Sequence, residues 1–312
     1  MRIITQFGGS RPEAERLRAL SSDIELVDFV NEDPPPDLQA DAFFGGYFGW
    51  EHILRWLDAG GVQWVQLSGT GTDNVPDAVF DGRIVTCARG ASAVPISEWV
   101  MAAVLAHAKR FPQTFLTEPP KYWNFPEPLL DRVEGSRLAI VGLGGIGSAI
   151  AHRALPFGMH VRAMRRTDAP SPVDGVEIVR TLEELLPGAD HVVLAAPATS
   201  KTRRLINADA FALMKPGVHI VNIARGALID QDALRIALDS GKVAQATLDT
   251  VDPEPLPTGH WLYSHPKVRV AAHVSWYTPE MQQAAADIFV DNVRRFLRGE
   301  PLLHVVDRDE GY

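Results

Sequence analysis

The stretch Gly142-Leu-Gly-Gly-Ile-Gly147 has the spacing of a turn that holds phosphates. Gly142 permits the tight turn, Gly144 lets a pyrophosphate approach the backbone, and Gly147 lets the next helix pack on its strand. Gly145 and Ile146 lie where that helix opens, and its free N–H groups and positive dipole end suit an anion. A glycine pattern alone is weak. Here an apolar strand over 138–141 precedes it and a second strand starts about a dozen residues after Gly147, which is the required context. The end of that second strand selects between cofactors. An NAD site puts a carboxylate there, on the ribose 2′-hydroxyl. This chain reads Ala163-Met-Arg165-Arg166-Thr167, with no carboxylate before Asp168. Two guanidiniums suit a 2′-phosphate by charge and by forked geometry. NADP is therefore favoured over NAD.

The elements that must position this turn read as a βα alternation. Strands are expected over 2–7, 24–29, 42–45 and 62–67, with helices over 12–20 and 52–59 between them. Such a rhythm predicts a mostly parallel sheet. A helix over 97–111 follows and Pro112 ends it. Residues 117–128 hold four prolines around Tyr122 and Trp123 and read as extended loop. Six further strands are expected, over 137–142, 159–164, 191–195, 218–223, 243–249 and 268–272. Helices over 146–155, 182–186, 208–213 and 231–240 separate them, which describes a doubly wound sheet. Thr278 reads as an N-cap, Pro279 as the first helical residue and Gly299 as the stop of a last helix of about two dozen residues. The fold class is α/β: two Rossmann-like domains with parallel sheets. The cofactor domain (109–278) is inserted into a substrate domain (1–108 and 279–312).

Composition narrows the partners. The 312 residues carry 30 Lys and Arg against 39 Asp and Glu, a net charge of −9. That argues against nucleic acid or an anionic membrane as the main partner. No apolar run is long enough to span a bilayer. The segment Met1–Gly9 reads as a strand entering a turn rather than a leader peptide. One cysteine, Cys87, can make neither an internal disulfide nor a zinc cluster. No metal site is expected, and a reducing, cytoplasmic setting is.

Four segments, taken in order, resemble the D-isomer-specific 2-hydroxyacid dehydrogenases, of the glyoxylate/hydroxypyruvate reductase kind. They are Val85-Thr-Cys-Ala-Arg-Gly-Ala-Ser-Ala-Val-Pro-Ile-Ser-Glu98, the glycine turn, Val221-Asn-Ile-Ala-Arg-Gly-Ala-Leu-Ile-Asp230, and Leu248-Asp-Thr-Val-Asp-Pro-Glu-Pro255 with His273 downstream. The resemblance implies NAD(P)-dependent reduction of a small 2-keto acid to the D-2-hydroxy acid. It implies Arg225, Glu254 and His273 as catalytic residues. The chemistry supports these types: an imidazole titrates near working pH and can protonate a developing alkoxide. A carboxylate can orient the ring and favour imidazolium. A guanidinium offers a rigid fork of donors to the substrate carboxylate. The resemblance also places Asp249 near the nicotinamide carboxamide, and Arg89 and Gly90 in the loop that holds the substrate carboxylate. It puts Pro197, Thr199 and Thr202 in a cofactor-side loop. Trp123 matches a family tryptophan, and a homodimer is the family default.

Departures surround the substrate. Cys87 replaces a common asparagine, Asp249-Thr-Val stands for Asp-Val-Phe, and Val274-Ser-Trp276 stands where Ile-Gly follows the histidine. Trp276 would narrow the pocket, which suggests a small substrate. Nothing resembles the regulatory domain of longer 3-phosphoglycerate dehydrogenases. Two other readings stay open: formate dehydrogenase, expected to carry glutamine at position 254, and a nucleotide-sensing protein like the corepressors built on this fold.

Overall fold

Runs of Val, Ile and Leu between glycine and proline turns form short strands, all parallel, with helices carrying the chain back. A computed structural model describes residues 1–6, 12–46, 48–120, 123 and 129–308. Phe7, Gly8, Gly9 and Tyr122, named above, lie outside them. Among the described residues no helix is long and apolar enough to cross a membrane, and no group of three or more His, Cys, Asp or Glu could hold a metal ion.

By its contacts the chain forms two units, Met1–Ser92 with Tyr277–Tyr312, and Ala93–Trp276. The expected junctions were 108/109 and 278/279. The first falls one helix earlier because the helix after Ser92 packs on the second unit.

The first unit holds β1 (Arg2–Thr5), α1 (Pro12–Leu20), β2 (Glu25–Asp28), β3 (Ala42–Gly45), α2 (Trp50–Gly60), β4 (Trp64–Leu67) and β5 (Ile84–Thr86). Its sheet runs β2-β1-β3-β4-β5. Edge strand β5 was not expected. It has three residues and one neighbour, too short a run to show a pattern.

The second unit opens with α3 (Ala93–Ala108). It starts before the expected 97, because a proline such as Pro95 is tolerated in a first helical turn. It ends before the expected 111, where Arg110 takes a left-handed φ of 54°. Then come β6 (Arg137–Val141), α4 (Gly145–Ala154), β7 (His160–Met164), β8 (Val176–Val179), α5 (Leu182–Leu185), β9 (His191–Leu194) and α6 (Ala208–Leu213). They are followed by β10 (Val218–Asn222), α7 (Gln231–Asp239), β11 (Val243–Leu248), α8 (Trp261–Ser264) and β12 (Val268–Val270). The seven strands run β12-β11-β10-β9-β6-β7-β8, one more than expected, the addition being the short edge strand β8. Strands β9 and β10 are buried along their whole length, as the central strands of a sheet covered on both faces must be.

The chain returns to the first unit in α9 (Pro279–Leu297), 19 residues long. Thr278 caps it, its hydroxyl accepting the Met281 N–H at 3.2 Å, and Pro279 opens it as expected. Asn292, fully buried on α9, ties the helix to this unit's sheet. Its Nδ2 donates to Gln66 Oε1 (2.9 Å) and to the Leu303 carbonyl (3.1 Å), while its Oδ1 accepts the Leu303 N–H (2.7 Å). Gln66 Oε1 also accepts from Thr86 Oγ1, which accepts from Trp64 Nε1, each at 2.8 Å. Replacing Asn292 with alanine leaves the half-buried N–H and carbonyl of Leu303 without this partner and takes one donor from the buried Gln66 Oε1. Asn292→Ala should therefore lower the unfolding free energy by about 2–3 kcal/mol in a urea titration. A wild-type midpoint would show that water replaces the amide.

Candidate active site

In the sheet of the second unit the strand order reverses between β6 and β9, the position where open α/β sheets bind ligands beyond their strand ends. The glycine turn leaves β6 there. Gly142 has φ 100°, and its N–H donates to the Met164 carbonyl at 2.9 Å. A Cβ on Gly147 would stand 2.1 Å from the Gly142 carbonyl oxygen, so only glycine lets α4 come this close. At Gly144 and Gly145 a Cβ would meet nothing within 4 Å. The first turn of the ten-residue α4, with Ile146 in it, thus opens onto clear space. This cradle suits a dinucleotide pyrophosphate, which the N–H groups of the helix's first turn would hold.

Arg165 and Arg166 follow β7, next to the turn. Arg165 Nη1 donates to the carbonyls of Ala169 (3.4 Å) and Pro170 (2.8 Å), and Arg166 is exposed. Beyond β9, the Thr202 hydroxyl donates to the Pro197 carbonyl at 2.6 Å and accepts the Thr199 N–H at 2.8 Å. Thr202 therefore shapes this loop from within.

Arg225, Glu254 and His273 follow β10, β11 and β12, three adjacent parallel strands, so all three lie at one edge of the sheet. His273 Nδ1 bonds Glu254 Oε2 at 2.9 Å, and Glu254 Oε1 accepts the Val251 N–H at 3.0 Å. Burial pushes the Glu254 carboxyl up. The bond to His273, the Val251 N–H and the positive fields of His273 and Arg225 outweigh it, holding the group below its ordinary range. The pairing leaves Nε2 as the ring nitrogen not engaged by Glu254. Arg225 Nη1 donates to the Ala224 carbonyl at 2.7 Å, and Asn222 Nδ2 donates to the Arg225 carbonyl at 2.9 Å, so strand end and arginine are fixed together.

Two positioning features were not legible beforehand. A Cβ on Gly226 would overlap the Val251 carbonyl carbon at 1.9 Å, so this glycine lets the Arg225 loop lie on the segment leading to Glu254. Asp249, expected beside the nicotinamide, is 1% exposed and binds backbone. Its Oδ1 accepts the Val274 N–H at 2.8 Å, its Oδ2 accepts the Ser275 N–H at 3.1 Å, and its carbonyl accepts the His273 N–H at 2.9 Å. His273 has φ 55°, an uncommon conformation for a non-glycine residue that persists where its surroundings over-determine it.

The remaining candidates are placed as follows. Trp276 is partly buried against the core formed by α3, α4, β6 and β7. Trp123 is 72% exposed. Arg89 and Gly90 belong to the first unit, where Cys87 is buried. Burial pushes the Cys87 thiol up against the opposing pull of the Arg89 guanidinium.

The glycine cradle on a seven-stranded parallel sheet defines a dinucleotide-binding α/β protein. Residues 101–275, more than half of the chain, match the model of the D-isomer specific 2-hydroxyacid dehydrogenase NAD binding domain. The chain belongs to the D-isomer specific 2-hydroxyacid dehydrogenase family. It is 35% identical to D-3-phosphoglycerate dehydrogenase of Bacillus subtilis over 244 residues, 77% of this chain and 46% of that protein. It is 32% identical to glyoxylate/hydroxypyruvate reductase A of Yersinia enterocolitica over 220 residues, 70% of this chain and 68% of that one. The chain spans about half the length of several of its curated relatives, at 46% of the Bacillus protein. The solved D-isomer specific 2-hydroxyacid dehydrogenase from Xanthobacter autotrophicus, in complex with NADPH and MES, superposes with a TM-score of 0.81 at 27% identity. That match covers 100% of this chain and 99% of the other.

Proposed function

We propose that this protein reduces a small 2-keto acid of the glyoxylate or hydroxypyruvate type to the D-2-hydroxy acid, with NADPH preferred over NADH. The observation that carries the reading is the 2.9 Å Glu254–His273 pair, set with Arg225 at the edge of the sheet that bears the glycine cradle. The reduced nicotinamide, when bound, supplies the hydride. His273 holds the proton at Nε2 and delivers it to the alkoxide oxygen, and Glu254 stabilises the charged ring from Nδ1. Arg225 binds the substrate carboxylate and polarises the ketone. In oxidation the steps reverse and His273 takes the proton. A nucleotide sensor on this fold can keep the same residues, so turnover with a keto acid separates it from this reading, and the glutamate at 254 disfavours formate dehydrogenase.

Several observations support the finer assignments. Arg165 and Arg166 at the end of β7 suit a 2′-phosphate. The first unit is assigned as the substrate domain and the second as the cofactor domain. A cytoplasmic homodimer is the proposed state. Among the described residues Phe115, Leu116, Trp123 and Leu129 are 62%, 60%, 72% and 84% exposed, large apolar side chains of the kind that an interface would cover. Light scattering on the eluted protein reports the mass.

The function is tested by loss of reduced-nicotinamide absorbance, offering NADPH and NADH separately. Glyoxylate, hydroxypyruvate, pyruvate and a bulkier keto acid are the substrates. NADPH consumption with a small keto acid is expected, with D-glycerate formed from hydroxypyruvate. Faster NADH consumption removes the NADP preference alone. Cofactor binding without turnover of any keto acid removes the reductase.

A further inference from the structure

Arg165 and Arg166 sit on a loop that also carries Asp168, whose negative charge repels a phosphate. Arg180, beyond the end of β8, reaches back across this loop. Its Nη1 donates to the Thr167 carbonyl at 2.6 Å and more weakly to the Arg165 carbonyl at 3.5 Å, while its Nη2 pairs with Asp168 Oδ1 at 2.8 Å. The backbone of Arg180 is fixed as well. Its N–H donates to Glu184 Oε2 at 2.8 Å, and Glu184 is itself held where Thr181 caps α5, the Thr181 hydroxyl accepting the Glu184 N–H at 3.3 Å.

We propose that Arg180 is a positioning residue that sets the preference for a 2′-phosphorylated adenosine, by clamping the loop that carries Arg165 and Arg166 and by neutralising Asp168. The inference rests on the NADP reading above. The Arg180 and Asp168 side chains are 41% and 98% exposed, and an ion pair so open to water contributes little to folding. Its consequence is local. One planar guanidinium meets two carbonyls and a carboxylate together, which the single point charge of lysine does not reproduce. Without Arg180 the Thr167 carbonyl loses this donor and the Asp168 carboxylate this counter-charge, beside the place where a 2′-phosphate must bind.

The test is calorimetric binding of adenosine 2′,5′-bisphosphate and 5′-AMP, probes that differ by the 2′-phosphate and need no turnover. The wild-type protein should bind the bisphosphate more tightly. Arg180→Gln should lower the ratio of the two affinities by about tenfold, and Arg180→Lys by less, since the charge remains without the fork. Adding Asp168→Asn to Arg180→Gln should restore part of the ratio. A residue with a merely structural role would weaken both probes alike and leave the ratio unchanged. A strong wild-type preference that survives Arg180→Gln overturns the inference and keeps the NADP reading. A wild-type ratio near one removes the NADP reading, and this inference with it.

Discussion

His273→Ala loses about three orders of magnitude in kcat for keto-acid reduction while still binding reduced cofactor, the loss typical of a removed general acid. The argument is geometric. His273 is carried by a backbone held from several sides, through its own N–H and through the N–H groups of Val274 and Ser275, all received by Asp249. Its ring is fixed by Glu254, which is in turn fixed by Val251. Alanine at 273 removes the imidazole and leaves this frame and the glycine cradle in place. Burial works against the Glu254 charge, but His273, the Val251 N–H and Arg225 hold the carboxyl below its ordinary range. Between the ordinary glutamate value and the depressed one the unfolded chain takes up a proton that folded Glu254 does not, so the stabilisation is whole above the ordinary range and is lost as pH falls through that window to the depressed value. Stopped-flow turnover alongside cofactor fluorescence titration reads both quantities. Wild-type turnover in the variant would move the proton donor elsewhere, and loss of cofactor binding would show that His273 supports the fold of the site.

What the sequence revealed is what short stretches of chain determine. The glycine turn declared itself because Gly142, Gly144 and Gly147 act on their own backbone and on a helix that follows at once. Thr278 and Pro279 announced α9 because a cap bonds residues only a turn away. The catalytic trio came from the order of four segments, since nothing within the chain around His273 marks it among ten histidines. The edge strands β5 and β8 were illegible, being short runs whose partners are set by the sheet. Arg180 carries no signal in the sequence, because its contacts lie across the β7–β8 connection, 12 and 13 residues away. The resemblance puts Asp249 near the cofactor, but nothing in the sequence shows that its carboxylate holds a loop a whole strand further on. Tertiary contacts of this kind carry no local periodicity.

The unfolding free energy should fall as pH drops from 6.5 toward 4, through a group of histidines away from the active site. His191 begins β9 and His219 lies near the start of β10, at the edge of the sheet opposite the catalytic residues. His107, on α3, stacks on His219 with ring centroids 4.3 Å apart and planes 17° apart, and His191 meets both edge-on. The Nδ1 atoms of His191 and His219 are 3.2 Å apart, so one donates and the other accepts, and a proton on each would face its like. His219 Nε2 lies 2.9 Å from Thr247 Oγ1, which takes a bond from Gln245 at 3.1 Å. Arg110 and Asp131 act on His107 from beyond α3 with opposite signs, and Asp190 with its partner Lys215 does so on His191. Burial dominates for all three rings. It lowers His107, lowers His219 far, and takes His191 from 6.5 to about 4. The folded protein thus keeps His191 neutral where the unfolded chain gains a proton. Its contribution is whole above 6.5 and is lost as pH falls through the window to about 4. The full span is worth about 3 kcal/mol for His191 alone, of which about 2 kcal/mol is gone by about pH 5. Urea titrations at several pH values should show this slope, and His191→Leu with His219→Phe should flatten it while exposed carboxylates keep their share. A wild-type curve already flat across the window, or an equal slope in the double variant, would mean that the three imidazoles charge in place at no cost to the fold.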